Sequence, residues 1–286
     1  MIGEYKQQNL LGGSNLKVFI SCDIEGISGV VASQEQTSEE GKDYGRAREL
    51  MTDELNAVIE GAVQAGAKDI LVNDSHGSMR NILIEKMHPA ATLLTGSPKR
   101  LSMMQGIGPE FNACIFVGYH SRMGSPGVLS HTISGGSVAN IWANDILVGE
   151  TGINAGIAGF YGVPVVLVCG DNVVAQEAKQ LLPKVHTAVV KEAVGRYAAK
   201  CLPPQKVKNL LVQSAKDALA DISEATIWLP ESPVTFKIEF KDSGLAEAAS
   251  RMPYTEVLEP RTVSFTADDY ITAFMGLRSM IALSRG

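Results

Sequence analysis

The run Ser21-Cys22-Asp23-Ile24-Glu25-Gly26-Ile27-Ser28-Gly29 places two carboxylates two residues apart, and on an extended chain side chains at that spacing point the same way. Two anions so close are costly unless a cation or a shared proton offsets their repulsion. Taken alone, the segment also fits a turn whose acids are solvated and whose glycines serve the backbone. Histidine sharpens the choice, because there are only five. His76 follows Asn73-Asp74-Ser75 and His120 follows Gly118-Tyr119, each just past an apolar run. His88 and His186 have nothing distinctive around them and read as structural or surface residues. Imidazole with carboxylate is a donor set suited to zinc or a related divalent ion. His131 sits in the polar, glycine-rich segment 124–136, a candidate active-site loop in which it would act as general acid or base. Glu150, in Val148-Gly149-Glu150-Thr151-Gly152, reads two ways: as a charge favourable at a helix N-terminus, or as a fifth ligand completing a two-ion site.

These residues need a scaffold that brings them together, and the apolar pattern supplies one. Val18-Phe19-Ile20 leads into Asp23, Ile70-Leu71-Val72 into Asp74, Cys114-Ile115-Phe116-Val117 into His120, and residues 163–169 into Asp171. Each run reads as a buried strand. Helical period fills 44–65, closed by Gly66, and 172–182, capped by Asp171 or Asn172 with Pro183 beyond. Strand, helix, strand in this order predicts an α/β fold, a mainly parallel sheet flanked by helices, with ligands outside the carboxyl ends of the strands. Asp74 and Asp171, at two of those ends, are expected to orient ligand histidines. After about Thr187 the texture changes. Residues 195–220 read as one or two helices interrupted by Pro203-Pro204, 234–240 as a strand, 243–251 as a short helix, 256–265 as one or two strands and 268–284 as a closing helix. The expected organisation is an N-terminal extension over 1–16, an α/β metal-binding catalytic domain over 17–190, and a smaller α+β domain over 191–286.

Composition bounds the partners. The 286 residues hold 25 Lys plus Arg against 31 Asp plus Glu, a formal charge of −6, and the basic residues are scattered, which argues against nucleic acid. With 45% apolar and 20% charged residues the chain can bury a substantial core. No run approaches the roughly 20 apolar residues of a membrane helix, and the first fifteen residues lack the apolar centre of a secretory signal. Cys22, Cys114, Cys169 and Cys201 are widely spaced and three lie in apolar runs, which fits buried thiols and a reducing, cytoplasmic location. Asp74-Ser75-His76 holds triad residue types, but adjacency in sequence argues against a triad. Gly135-Gly136 lacks the phosphate-loop lysine.

Five motifs in order carry a family resemblance: Ser21 to Gly29, Val72-Asn73-Asp74-Ser75-His76, Gly118-Tyr119-His120, Pro126-Gly127-Val128-Leu129-Ser130-His131-Thr132, and Val148-Gly149-Glu150. Together they resemble the zinc-dependent D-aminopeptidases of the dipeptide-transport-operon type, metallopeptidase family 55, from about Lys17 to the C-terminus. The resemblance implies that Asp23, Glu25, His76, His120 and Glu150 ligate two zinc ions, with Asp23 bridging, and that His131 is the catalytic histidine. It alone selects Glu150 as a ligand and separates His131 from the ligands. It also implies a homodecamer of stacked rings with active sites facing an internal channel, and the C-terminal domain is the expected seat of subunit contacts and channel lining. The N-terminal extension is longer than the family pattern leads one to expect.

The expected activity is that of a binuclear zinc aminopeptidase acting on short peptides with a free N-terminus, D-amino-acid dipeptides such as D-alanyl-D-alanine among them. A hydroxide bridging the two metals would attack, and His131 would stabilise the oxyanion or pass a proton to the leaving amine. Preference for D or L residues depends on pocket walls that no motif fixes. Two rivals compete. An α/β phosphohydrolase would use Asp23 as nucleophile, but the usual second aspartate is Glu25 here and a lone magnesium site leaves two histidines unexplained. A metal-stabilised peptide-binding oligomer would use the same ligands in a closed site without turnover.

Overall fold

The structure is a computed structural model that describes residues 16–285. The extension expected over 1–16 lies outside the described residues except for Leu16, which opens the first strand. In chain order come β1 (Leu16–Cys22), α1 (Ser33–Thr37), α2 (Tyr44–Gln64), β2 (Ala67–Asp74), β3 (Ala91–Leu94), β4 (Ala113–Tyr119), β5 (Val138–Ala143), β6 (Ile146–Leu147), α3 (Glu150–Phe160), β7 (Val165–Asp171), α4 (Asn172–Leu181), β8 (His186–Gly195), β9 (Ala198–Cys201), α5 (Pro204–Ala220), β10 (Val234–Phe240), α6 (Ser243–Ala249), β11 (Thr255–Glu259), β12 (Thr262–Ala267) and α7 (Tyr270–Leu283). No helix among the described residues is long and apolar enough to cross a membrane.

The larger sheet runs β3-β2-β1-β4-β7-β8-β9, parallel except for the last strand. Strand order departs in both directions from β1, so its topological switch point lies between β1 and β4. That is where open parallel sheets bind ligands, and it is where Asp23 and His120 emerge. The central strands are apolar on both faces because both are covered. Val18, Ile20 and Cys22 pack under α2 and α5, against Met51, Leu55, Val58, Val207 and Leu211. Burial of Met51, Leu55 and Val58, which recur at helical spacing on α2, contributes about 1.5–3 kcal/mol each. Phe19 and Phe116 face the other way, into a core shared with α3, α4, α7 and a second, antiparallel sheet ordered β11-β12-β10-β5-β6.

Sheet membership does not follow the boundary expected at residue 190. Strands β5 and β6, from the middle of the chain, belong to the second sheet, while β9 and α5 stay with the first. Residues 195–220 are also not helical throughout. Only Pro204–Ala220 is a helix, and the stretch before Pro203 is the β8–β9 hairpin. Its Ala and Lys content favours helix, but pairing of β8 along β7 overrides that preference.

Candidate metal centre

The chain leaving β1 is stapled to the end of β4. Asp23 N–H donates to the Val117 carbonyl at 2.8 Å and Gly26 N–H to the Gly118 carbonyl at 2.7 Å. The following turn is pinned from below by Lys191 of β8, whose Nζ donates to the carbonyls of Glu25 (2.5 Å), Ile27 (2.9 Å) and Val30 (2.6 Å). Burial pushes the Lys191 amine down to about 8. Glu54 of α2 accepts Ser28 N–H at 2.8 Å and completes the clamp. Close approach leaves no room for side chains here: a Cβ on Gly118, whose φ is +68°, would lie 2.1 Å from the Asp23 carbonyl oxygen. Gly118→Ala should therefore destabilise the protein by more than about 2 kcal/mol in urea unfolding. Gly124→Ala is its control, since a Cβ there meets nothing closer than 3.9 Å although φ is +82°; it should cost about 1 kcal/mol from backbone strain alone.

His76 is carried by the loop after β2. The Asp74 carboxylate accepts the N–H groups of Asn81 (2.6 Å) and Ile82 (2.8 Å), and Asn81 Nδ2 donates both to Asp74 Oδ1 and to the His76 carbonyl, each at 2.7 Å. Asp171 caps α4 through Val173 and Val174 N–H and accepts Val128 N–H at 2.7 Å. The expectation that these aspartates orient ligand histidines needs correcting: neither carboxylate touches an imidazole, Asp171 braces backbone, and Asp74 reaches His76 only through Asn81, which holds the His76 carbonyl. His131 lies between Leu129 (φ +52°) and Ile133 (φ +57°). Arg196 from the β8–β9 turn, which donates to the Ser130 carbonyl, and Glu150, which accepts Ile133 N–H at 2.6 Å, hold this strained loop in place. Glu150 is the first residue of α3. Below it a buried network of Ser21, Ser75, Tyr119 and Asn154 hydroxyls and amide ties β1, β2 and β4 to α3.

All six residues singled out from the sequence converge. Asp23, Glu25, His120 and Glu150 are buried at 2%, 4%, 1% and 4% exposure, and the arrangement divides about Asp23. Its Oδ1 lies 3.2 Å from His76 Nδ1, which is 3.0 Å from Glu25 Oε2. Its Oδ2 lies 3.6 Å from His120 Nε2, which is 3.5 Å from Glu150 Oε1. His131 Nε2 is 3.7 Å from the same Glu150 oxygen, and its ring stacks on His120 with centroids 4.2 Å apart.

A carbonyl oxygen only accepts, so the contacts on the far side of each ring fix its proton. His76 Nε2 donates to the Thr37 carbonyl (2.7 Å), His120 Nδ1 to that of Ser121 (3.1 Å) and His131 Nδ1 to that of Leu129 (3.0 Å). Each neutral ring thus turns a lone pair toward carboxylate oxygens. Lone pairs facing anions repel unless a cation stands between them. Two atoms of the cluster, Glu25 Oε2 beside His76 and His120 Nε2 beside Asp23 and Glu150, are buried without a hydrogen-bond partner. Donor types, tautomers and orphaned atoms therefore fit divalent metal, and among the described residues the donor atoms of Asp23, Glu25 and His120, and of His120, His131 and Glu150, lie close enough together to share an ion.

The titration pattern has the same origin. Burial and the Glu25 charge push Asp23 up to about 7. Burial opposes charge on His120, yet the Glu150 carboxylate beside it raises it to about 10, while Glu150 itself, against its burial, is held down to about 2 by His120. On His76 too, burial is outweighed by Glu25 and Asp23, which raise it well above the ordinary range. Protons thus occupy the positions between carboxylate and imidazole when no other cation does. His131 differs: burial, then the His120 charge, lowers its pKa and keeps it neutral.

A cleft of about 180 Å³ opens onto Asp23, Glu25, His131 and Glu150, so this is not a closed structural site. A larger groove of about 680 Å³ elsewhere, beside Glu54 and His88, contains none of these six residues. Two of the cleft's other walls were not read from the sequence. Asn154 carried a signal, four residues after Glu150 on one helix face; Arg278, a lone charge in the otherwise uncharged α7, carried a weaker one.

The sequence profile of the family described as D-aminopeptidase, peptidase M55, matches residues 16–279. A D-aminopeptidase of Bacillus subtilis (strain 168) is 41% identical over 271 residues, covering 94% of this chain and 98% of that protein. A solved structure described as the Zn-dependent D-aminopeptidase DppA from Bacillus subtilis, a self-compartmentalizing protease, superposes with a TM-score of 0.92 at 40% identity over 94% of this chain and 98% of that one.

Proposed function

Because this chain belongs to the D-aminopeptidase family, peptidase M55, we propose that it is a zinc-dependent aminopeptidase with a two-ion centre, acting on short peptides whose free N-terminal residue has the D configuration, D-alanyl-D-alanine among them. The observation that carries the reading is the division of the cluster about Asp23, whose two oxygens face different histidine–carboxylate pairs. Asp23, Glu25 and His76 would hold one ion, and Asp23, His120 and Glu150 the other. Zinc, when bound, acidifies water to a pKa of about 7 and polarises the scissile carbonyl.

The remaining chemistry falls to the chain itself. With Nδ1–H committed to Leu129, neutral His131 presents Nε2 as a base. It accepts the proton that the attacking water gives up and, as imidazolium, delivers it to the leaving amine. In this tautomer Nε2 has no proton to offer an oxyanion at the outset, which favours the proton relay over oxyanion stabilisation as its role. Stacking on His120 keeps the ring in place through both steps. The cleft, about 180 Å³, is smaller than the about 300 Å³ at which pockets for drug-sized ligands begin, which supports a short substrate.

The description of the solved relative as self-compartmentalizing supports an assembly, for which we adopt a homodecamer with subunit contacts from residues 191–286. Val194, Tyr197, Tyr254, Val257 and Leu258, all exposed by 46–92%, lie in that region. Four free cysteines, three of them buried, support a cytoplasmic location.

Amine release from D-alanyl-D-alanine and L-alanyl-L-alanine, on metal-stripped protein titrated with zinc, tests the reading. Hydrolysis should return with zinc and favour the D pair. Tight zinc binding with no turnover of D or L dipeptides and tripeptides would leave a binding protein, and magnesium-dependent phosphate release from generic esters would leave a phosphohydrolase.

A further inference from the structure

The proposed mechanism leaves two cations of the same cleft unused. Arg278 of α7 and Arg285 just beyond it line the cleft together with Glu25, His131 and Glu150. Arg278 makes no hydrogen bond and no ion pair among the described residues. Arg285 reaches only the Ile133 carbonyl, at a long 3.5 Å. A guanidinium offers five donors in a planar fork, and withdrawing one from water without an acceptor is unfavourable. Burial and the neighbouring Arg285 charge both work against the Arg278 cation. The Glu150 charge offsets part of this, but no cleft carboxylate pairs with Arg278, and Asp23, Glu25 and Glu150 each face a histidine. Two arginines in one cleft, Arg278 without an acceptor and Arg285 with a single long one, are the complement of an anion that arrives with the substrate.

We infer that Arg278, with Arg285 beside it, is the subsite for the C-terminal carboxylate of the substrate, so that the enzyme selects peptides short enough to place that carboxylate in the cleft, dipeptides first. The inference rests on the peptidase reading above. A residue spans at most about 3.3–3.6 Å of extended chain. With the scissile carbonyl at the metal cluster, the carboxylate of a dipeptide therefore falls one residue away, within the same small cleft. In a longer peptide a neutral amide occupies that place and leaves the guanidinium without its acid partner, which is how a site built for a polar group rejects an analogue lacking it.

The test compares D-alanyl-D-alanine with D-alanyl-D-alanine amide on the zinc-loaded wild type and on Arg278→Gln, Arg278→Lys and Arg285→Gln, with zinc content and Tm measured on each sample. The wild type should prefer the free acid on the order of 100-fold in kcat/KM, as expected for a desolvated charge pair. Arg278→Gln should collapse that preference, mainly by raising KM for the acid. Arg278→Lys should restore part of it, since it returns the charge without the fork, and Arg285→Gln should show a smaller loss in the same direction. Equal efficiency of the wild type on acid and amide overturns the subsite whatever the variants do. So does an Arg278→Gln protein with wild-type zinc and Tm that loses both substrates in proportion. Absence of turnover on either substrate sinks the peptidase reading and this inference together, whereas the two preceding patterns sink the subsite alone.

Discussion

Replacing His131 with alanine should lower kcat by about 10²–10⁴-fold while bound zinc stays at the wild-type amount. The competing expectation is that His131 is a ligand, since His120, His131 and Glu150 are close enough to hold an ion together. Geometry separates the two. Asp23 Oδ2 and Glu150 Oε1 flank His120 Nε2 at 3.6 and 3.5 Å, and in the proposed two-ion centre these three would serve one ion without His131. The His131 side chain is 20% exposed against 1% for His120, so it is the ring that meets the cleft. The variant loses one hydrogen bond, to the Leu129 carbonyl, and the loop keeps its anchors to Arg196 and Glu150. Stability should accordingly fall by only about 1 kcal/mol. Zinc content and kcat measured on one preparation decide the matter: loss of both together makes His131 a ligand, and loss of kcat alone makes it the proton carrier.

The sequence carried the strand ends but not what each would do there. Asp23, Asp74, His120 and Asp171 all sit where apolar runs stop, and all four lie at or just beyond carboxyl ends of the larger sheet. Only Asp23 and His120 flank the switch point. Asp74 and Asp171 spend their oxygens on N–H groups of loops and of the first turn of α4, a distinction set by which strand pairs with which and invisible in the local pattern. Strand β9 at 198–201 falls in the stretch 195–220 that reads as helix, because its Ala and Lys content favours helix while its pairing with β8 is tertiary. Lys191 illustrates the same limit. A lysine in an apolar strand is a visible anomaly, but its three carbonyl partners lie more than 150 residues away, in the turn that carries Glu25. Glu150 needed the family resemblance, because a carboxylate at a helix N-terminus is unremarkable until the fold brings it opposite His120.

Asparagine at position 23 should reduce zinc binding at both halves of the centre, by more than the about 10- to 100-fold that loss of a ligand-orienting group costs. Glu25→Gln and Glu150→Gln, each touching one half, should each spare the other ion. The asymmetry follows from Asp23 alone facing both His76 and His120. Stability should move the opposite way. Burial and the Glu25 charge raise Asp23 from 3.8 to about 7, so between those values the folded protein holds a proton that the unfolded chain has released. The stability that proton contributes is complete below about pH 4 and is lost as pH rises through about 7. At pH 8 the metal-free wild type therefore carries an ionised Asp23 whose burial and repulsion from Glu25 outweigh its contacts with His76 and His120, and metal-free Asp23→Asn should melt higher. That advantage should shrink toward pH 5. Zinc should then raise the Tm of the wild type and leave the variant almost unmoved, reversing their order. An Asp23→Asn protein that binds zinc with wild-type stoichiometry would remove the shared-carboxylate arrangement, and one that melts below the metal-free wild type at pH 8 would show that charge repulsion is not what the bound ions relieve.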